Sequence, residues 1–148
     1  GFARPQAPPP QGGNRLHAVS LDGGELMNQR QIAFAQALVH DFVGLGEDSA
    51  LQQHLALQAE RLGLRMRTRI RLRSFEAVCR MVEAGVGVAV VPAVAAERHV
   101  GAGRLRLLKL SDAWADRQLL ICARSFEQLS MPALRLVDAL CAAQTPKR

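Results

Sequence analysis

Apolar and polar positions alternate along this chain in two rhythms, and their order sketches the elements. Asn14–Ser20 has strand character, and Gln29–Val39 places Ile32, Ala35, Leu38 and Val39 on one helical face. Asp41–Leu45 is a short apolar run ending at Gly46, consistent with a buried strand. Ser49 and Gln52 then have capping-box spacing, in which the serine hydroxyl accepts from the Gln52 amide and the glutamine side chain returns to the serine amide. The helix they open carries Leu51, Leu55, Ala59 and Leu62 on its apolar face and stops at Gly63. From Leu64 to Arg73 arginines alternate with Leu64, Met66, Thr68, Ile70 and Leu72, the period of a strand. Ser74 caps a second helix with Phe75, Val78, Cys79 and Val82 facing inward, ended by Gly85. Val86–Val91 is apolar except at Gly87 and rich in β-branched residues, as expected of a strand covered on both faces. Arg104–Leu110 and Gln118–Ala123 read as further strands, and Ser130–Ala142 as a final helix with Leu134, Val137 and Cys141 inward.

Strand, helix, strand, helix, strand from Asp41 to Val91 amounts to two right-handed crossovers, hence an α/β fold with a small open parallel sheet and helices on both faces. Ligands on such sheets sit beyond the carboxyl ends of the strands, where helix N-termini present free amides.

The 148 residues are the size of one ordinary domain, and 49% hydrophobic with 22% charged residues lies in the globular range. Five Phe, one Trp and no Tyr leave few stacking platforms for sugars or single-stranded nucleic acid. The formal charge of +6 comes largely from Arg61, Arg65, Arg67, Arg69, Arg71 and Arg73. A basic stripe on a strand serves either as an anion- or DNA-binding ribbon or as protection of a sheet edge, and the second use is the commoner. No helix-turn-helix, zinc-finger or RNA-recognition pattern accompanies it. Cys79, Cys122 and Cys141 are odd in number, far apart and inside apolar patterns, so they are expected to be buried thiols of a reducing compartment. Gly1–Gly13, with four prolines, reads as a flexible leader and not as a signal peptide. The longest apolar stretch, Val86–Ala96, contains Pro92 and is too short to cross a membrane.

Catalytic and cofactor patterns are not apparent. His17, His40, His54 and His99 are scattered without metal-site spacing, so neither a metal nor a cofactor is expected. Asp48, Ser49 and His54 hold the residue types of a triad, but no serine elbow surrounds Ser49, and neither Ser49 nor Cys79 has a base at fixed spacing. Gly85 and Gly87 close a helix and enter a strand, the reverse of a dinucleotide fingerprint. The chain is expected not to be an enzyme.

The run Ser74–Pro92, SFEAVCRMVEAGVGVAVVP, resembles the characteristic stretch of LysR-type transcription regulators, a serine-capped helix leading through V-x-A-G-x-G to a hydrophobic strand ending in proline. DFVGLGEDSALQQHLALQAERLG resembles the first strand and helix of that family's second regulatory subdomain. GRLRLLKL and RQLLICAR resemble its return to the first subdomain, and SMPALRLVDAL its last helix. The resemblance spans Leu16–Ala142 and implies a lobed fold like the type 2 periplasmic binding proteins, with an inducer held in a cleft. It also implies a cytoplasmic regulator whose winged helix-turn-helix lies outside this chain. Gly23–Asn28 departs from the family in lacking His-Pro-Leu, and the opening elements of the first lobe have no counterpart here.

The expected division is a leader at 1–13, a first-lobe remnant at 14–40, a second lobe at 41–103 with its core at 41–92, return strands and the last helix at 104–142, and a tail at 143–148. The implied function is sensing of a small organic anion at Ser49, Ser74 and Phe75, with a transport-type solute-binding protein as the alternative. A homodimer is expected through Leu51, Met66, Ile70 and Leu72, its arginines at the rim or paired to Glu47, Asp48 or Glu60.

Overall fold

In the computed structural model the described residues are 15–24, 26, 28–101, 104–117 and 120–143. The chain divides into two compact units, Arg15–Asp116 and the remainder. The first holds β1 (Leu16–Leu21), β2 (Gln31–Ile32), α1 (Phe34–Ala37), β3 (Asp41–Leu45), α2 (Ala50–Arg61) and β4 (Arg67–Leu72). It continues with α3 (Phe75–Glu83), β5 (Ala89–Pro92), α4 (Ala93–Val100), β6 (Leu105–Leu110) and a 3₁₀ turn at Ala113–Ala115. The second contains α5 (Met131–Ala143).

The crossovers form as their patterns require. β3 and β4 are parallel neighbours, and β3 is tied to the run into β5 by a parallel bridge, Phe42 to Val88. In that bridge Val43 N donates to Val88 O and Val88 N to Asp41 O, both at 2.8 Å. The helices α2 and α3 end at Gly63 and Gly85, whose φ of +69° and +79° suit a residue without Cβ.

Beside the parallel β3–β4 sheet lies a second, four-stranded sheet that is mixed, with β2 parallel to β6 and the other pairs antiparallel. β1 lies inside the order β2-β6-β1-β5 and is antiparallel to both β5 and β6. Its alternation explains the position: Leu16 and Ala18 enter one core cluster and Val19 the other, so the strand needs cover on both faces. Residue 40 is accordingly no boundary between units. Ile32, Phe34 and Leu38 share one cluster with Phe42, Leu51 and Leu55. The opposite cluster joins Val43, Val78, Cys79, Val82, Ala89 and Ala96, so α2 covers one face and α3 with α4 the other. Phe34, fully buried, meets Trp114 edge to face at 5.1 Å, and burying a side chain of this kind stabilises by about 1.5–3 kcal/mol.

The helix expected over Gln29–Val39 is shortened to α1. Residues 30–32 are captured by β6, with Lys109 N donating to Arg30 O and Ser111 N to Ile32 O, each at 3.0 Å. Ladder bonds hold that segment extended, and only then does Ala33 open a helical turn, its amide donating to Gln36 Oε1 at 3.1 Å. Val39, expected to face inward, is 67% exposed. The strand expected at Gln118–Ala123 falls partly outside the described residues, and Leu120–Ala123 are not in a strand. Within the second unit α5 is capped as expected, Ser130 Oγ accepting from Ala133 N at 3.4 Å.

Candidate functional site

β3 and β4 end in register, Leu45 beside Leu72, so both parallel strands deliver their chains to the same edge. Four residues beyond Leu45, Ser49 caps α2 and accepts from Gln52 N at 3.4 Å. Two residues beyond Leu72, Ser74 caps α3 and accepts from Ala77 N at 3.2 Å. Each hydroxyl is engaged in its own cap, and neither lines a cavity with the other.

Phe75 and Gln52 are the residues that do meet. Together with Phe42, Gly44, Leu45 and Met66 they line a cavity of about 10 Å³ at this edge. Phe75 is half-buried and packs against both core clusters, so it is a core anchor as well as a wall of this cavity. The reciprocal half of the capping box is absent. Ser49 N donates to Gly46 O at 3.0 Å, while Gln52 Oε1 accepts from Leu45 N at 3.3 Å. The glutamine side chain therefore reaches β3 and not its own cap. Gly44 leaves the space for this, since a Cβ there would stand 2.7 Å from Gln52 Oε1. Sequence reasoning placed Gln52 in the cap and missed it as a lining residue; its signal was a polar residue on the buried side of α2.

An open groove of about 480 Å³ lies along α3 and α4, lined by Phe75, Glu76, Val94, Ala95, Arg98 and His99. At its far end His99 Nδ1 lies 3.5 Å from Glu83 Oε1. The helix α4 itself was not foreseen.

The arginine stripe lies on β4, whose one neighbour among the described residues is β3. Arg67 and Arg69 approach Asp41 at 3.4 and 3.7 Å, and Arg71 approaches Glu47 at 3.5 Å. Arg67 and Arg71 also donate to the carbonyls of Val39 and Leu45. Of the carboxylates expected to pair with the stripe, Glu47 does so, and Asp41, not anticipated, takes the place of Asp48 and Glu60. Leu51 is corrected as an interface residue: at 7% exposure it is spent in its own core. Met66 and Leu72 pack partly against the two clusters, and Ile70 remains 36% exposed.

Of the thiols only Cys79 is buried. Cys122 is exposed and Cys141 half-buried, against expectation, because residues around Cys122 form no strand to cover it. Burial, reinforced by the Glu83 carboxylate, pushes the Cys79 thiol above its ordinary value. Among the described residues no three His, Cys, Asp or Glu side chains come together as metal ligands, and no helix is long and apolar enough to cross a membrane.

Parallel strands thus bring two capped helix N-termini to one edge of an α/β domain. Residues 12–144 match the LysR substrate binding domain, and the chain belongs to that family, whose members are effector-binding domains of transcription regulators and not enzymes. Among solved structures it is similar to the effector binding domain of QuiR in complex with shikimate, with a TM-score of 0.73 and 12% identity over 97% of this chain and 65% of that one. It is similar also to the Synechocystis PCC6803 CcmR regulatory domain in complex with 2-PG, with a TM-score of 0.76 and 18% identity over 94% of this chain and 71% of that one. HinK, a LysR family transcriptional regulator from Pseudomonas aeruginosa, aligns with a TM-score of 0.69 and 20% identity over 96% of this chain. The chain spans 48% of HinK, about half of that regulator's length. No curated protein sequence gives a significant match.

Proposed function

We propose that this domain senses a small organic anion at the edge where α2 and α3 begin, and that binding there controls transcription through a winged helix-turn-helix outside this chain. The observation that supports the reading is the in-register ending of β3 and β4, which brings the N-termini of α2 and α3 to the same edge of the strands. Ser49 and Ser74 hold those N-termini, and Phe75 supplies an apolar wall. The similar structures of QuiR and CcmR, with shikimate and 2-PG, support a small effector. Action on transcription makes the regulator cytoplasmic in this account.

Thermal unfolding against a panel of glycolate, lactate, pyruvate, benzoate and shikimate tests the reading. A ligand at one hundred times its dissociation constant adds about 2.7 kcal/mol, so at least one acid raises Tm measurably. A Tm unmoved by every acid contradicts it.

We further propose a homodimer formed through the outer edge of β4. That edge has no strand partner among the described residues, and Ile70 is exposed on it.

A further inference from the structure

The open groove along α3 and α4 shares Phe75 with the proposed effector site and no residue of α2. Its floor follows from the turn of α4: Ala93 and Ala96 are spent in the core, which leaves Val94, Ala95, Arg98 and His99 to line the groove. Val94 is 56% exposed there, and half-buried Phe75 adds an aromatic wall from the first turn of α3. A volume of about 480 Å³ is that of a small-molecule pocket, for which about 300–1,000 Å³ is usual.

The charges along the groove are not equivalent. Glu76 holds the Arg80 guanidinium at 3.0 Å, and His99 Nδ1 lies 3.5 Å from Glu83 Oε1. Arg98 makes no hydrogen bond or ion pair among the described residues. The approach of His99 to Glu83 sets the last turns of α3 and α4 side by side, so Glu76, seven residues before Glu83, stands about 10 Å back along α3. One end of the groove therefore has a cation without a counter-ion, and the carboxylate at the other end is already matched. Val94 and Arg98 are four residues apart on one face of α4, about 5–6 Å from Cβ to Cβ, a span that a carboxylate joined to a single ring covers.

We infer that the groove between α3 and α4 is a second small-molecule site, taking a monocarboxylate with a compact apolar body. The carboxylate lies on the Arg98 guanidinium, which offers two parallel N–H donors, and the aryl or branched alkyl body lies over Val94 and Phe75.

The test titrates the ¹⁵N-labelled protein with phenylacetate, phenylacetamide and acetate and follows the backbone amides. Phenylacetate moves the amides of Val94–His99 and binds on the order of fivefold tighter than phenylacetamide, which keeps the ring without the charge, and than acetate, which keeps the charge without the ring. Arg98→Gln changes an exposed side chain that has no partner to lose, and it brings phenylacetate to the level of phenylacetamide; Arg98→Lys retains part of the preference. Val94–His99 amides unmoved by phenylacetate overturn the inference, as do equal affinities for phenylacetate and phenylacetamide or a preference that survives Arg98→Gln. Shifts confined to Ser49–Gln52 and Ser74–Ala77 also overturn it, while leaving the effector site standing. Shifts at Val94–His99 that Arg98→Gln abolishes support it even if no acid reaches the N-terminus of α2.

Discussion

Cys79 lies on the inward face of α3 with none of its surface exposed, and its thiol is held protonated by burial first and by Glu83 second. A folded-state value above the ordinary 9.0 means that the thiol's contribution to stability is complete below pH 9.0 and is lost as pH rises through the folded value. Denaturant unfolding at pH 7 to 11 should therefore show a decline above pH 9 that is shallower in Cys79→Ala, although that variant starts from lower stability because it leaves a cavity. A parallel decline in both proteins contradicts this assignment. Cys79 was legible because Val78, Cys79 and Val82 share one helical face. The exposure of Cys122 was not, since a short apolar run does not reveal whether anything covers it. Gln52 was half legible: Ser-x-x-Gln spacing signals a cap, but only the nearness of Leu45 in the fold shows where the amide turns.

The strand β4 carries charge and apolar surface in alternation, and its two faces behave differently. Arg67 and Arg69 share the Asp41 carboxylate and Arg71 approaches Glu47, so the charge of the stripe is offset only in part within the chain, by pairs exposed enough to be worth about 0 to 1 kcal/mol each. In an antiparallel pairing of two such strands arginines would approach arginines, so the intrachain carboxylates make the pairing tolerable and do not drive it. Apolar contact at Ile70 must hold a dimer, which should then respond only modestly to salt. Sedimentation at 50 and 300 mM salt, with and without duplex DNA, is expected to show a salt-tolerant dimer that ignores DNA. A monomer at both salts, or DNA binding that falls steeply with salt as phosphate contacts require, contradicts that expectation. Elements with a sustained period, α2, α3 and β4, were readable in the sequence. Gln29–Val39 was not, because helical spacing of Ile32, Ala35 and Leu38 coexists with a β6 edge that binds residues 30–32 first.

Over the unit Arg15–Asp116, the β–α–β series from Asp41 onward follows from local pattern, whereas the placement of β1 depends on partners found more than sixty residues later in the chain. Antiparallel pairing with β5 and β6 is nonlocal, and nothing in the alternation of Leu16–Leu21 specifies its direction. The consequence for function is a lobe whose core is closed on both faces and whose parallel strands share one carboxyl edge. Mapping backbone amide shifts of the ¹⁵N-labelled protein, titrated with the acid that most raises Tm, tests this account most directly. The account predicts the largest changes at Ser49–Gln52 and Ser74–Ala77 together; changes confined to residues distant from both helix N-termini would contradict it.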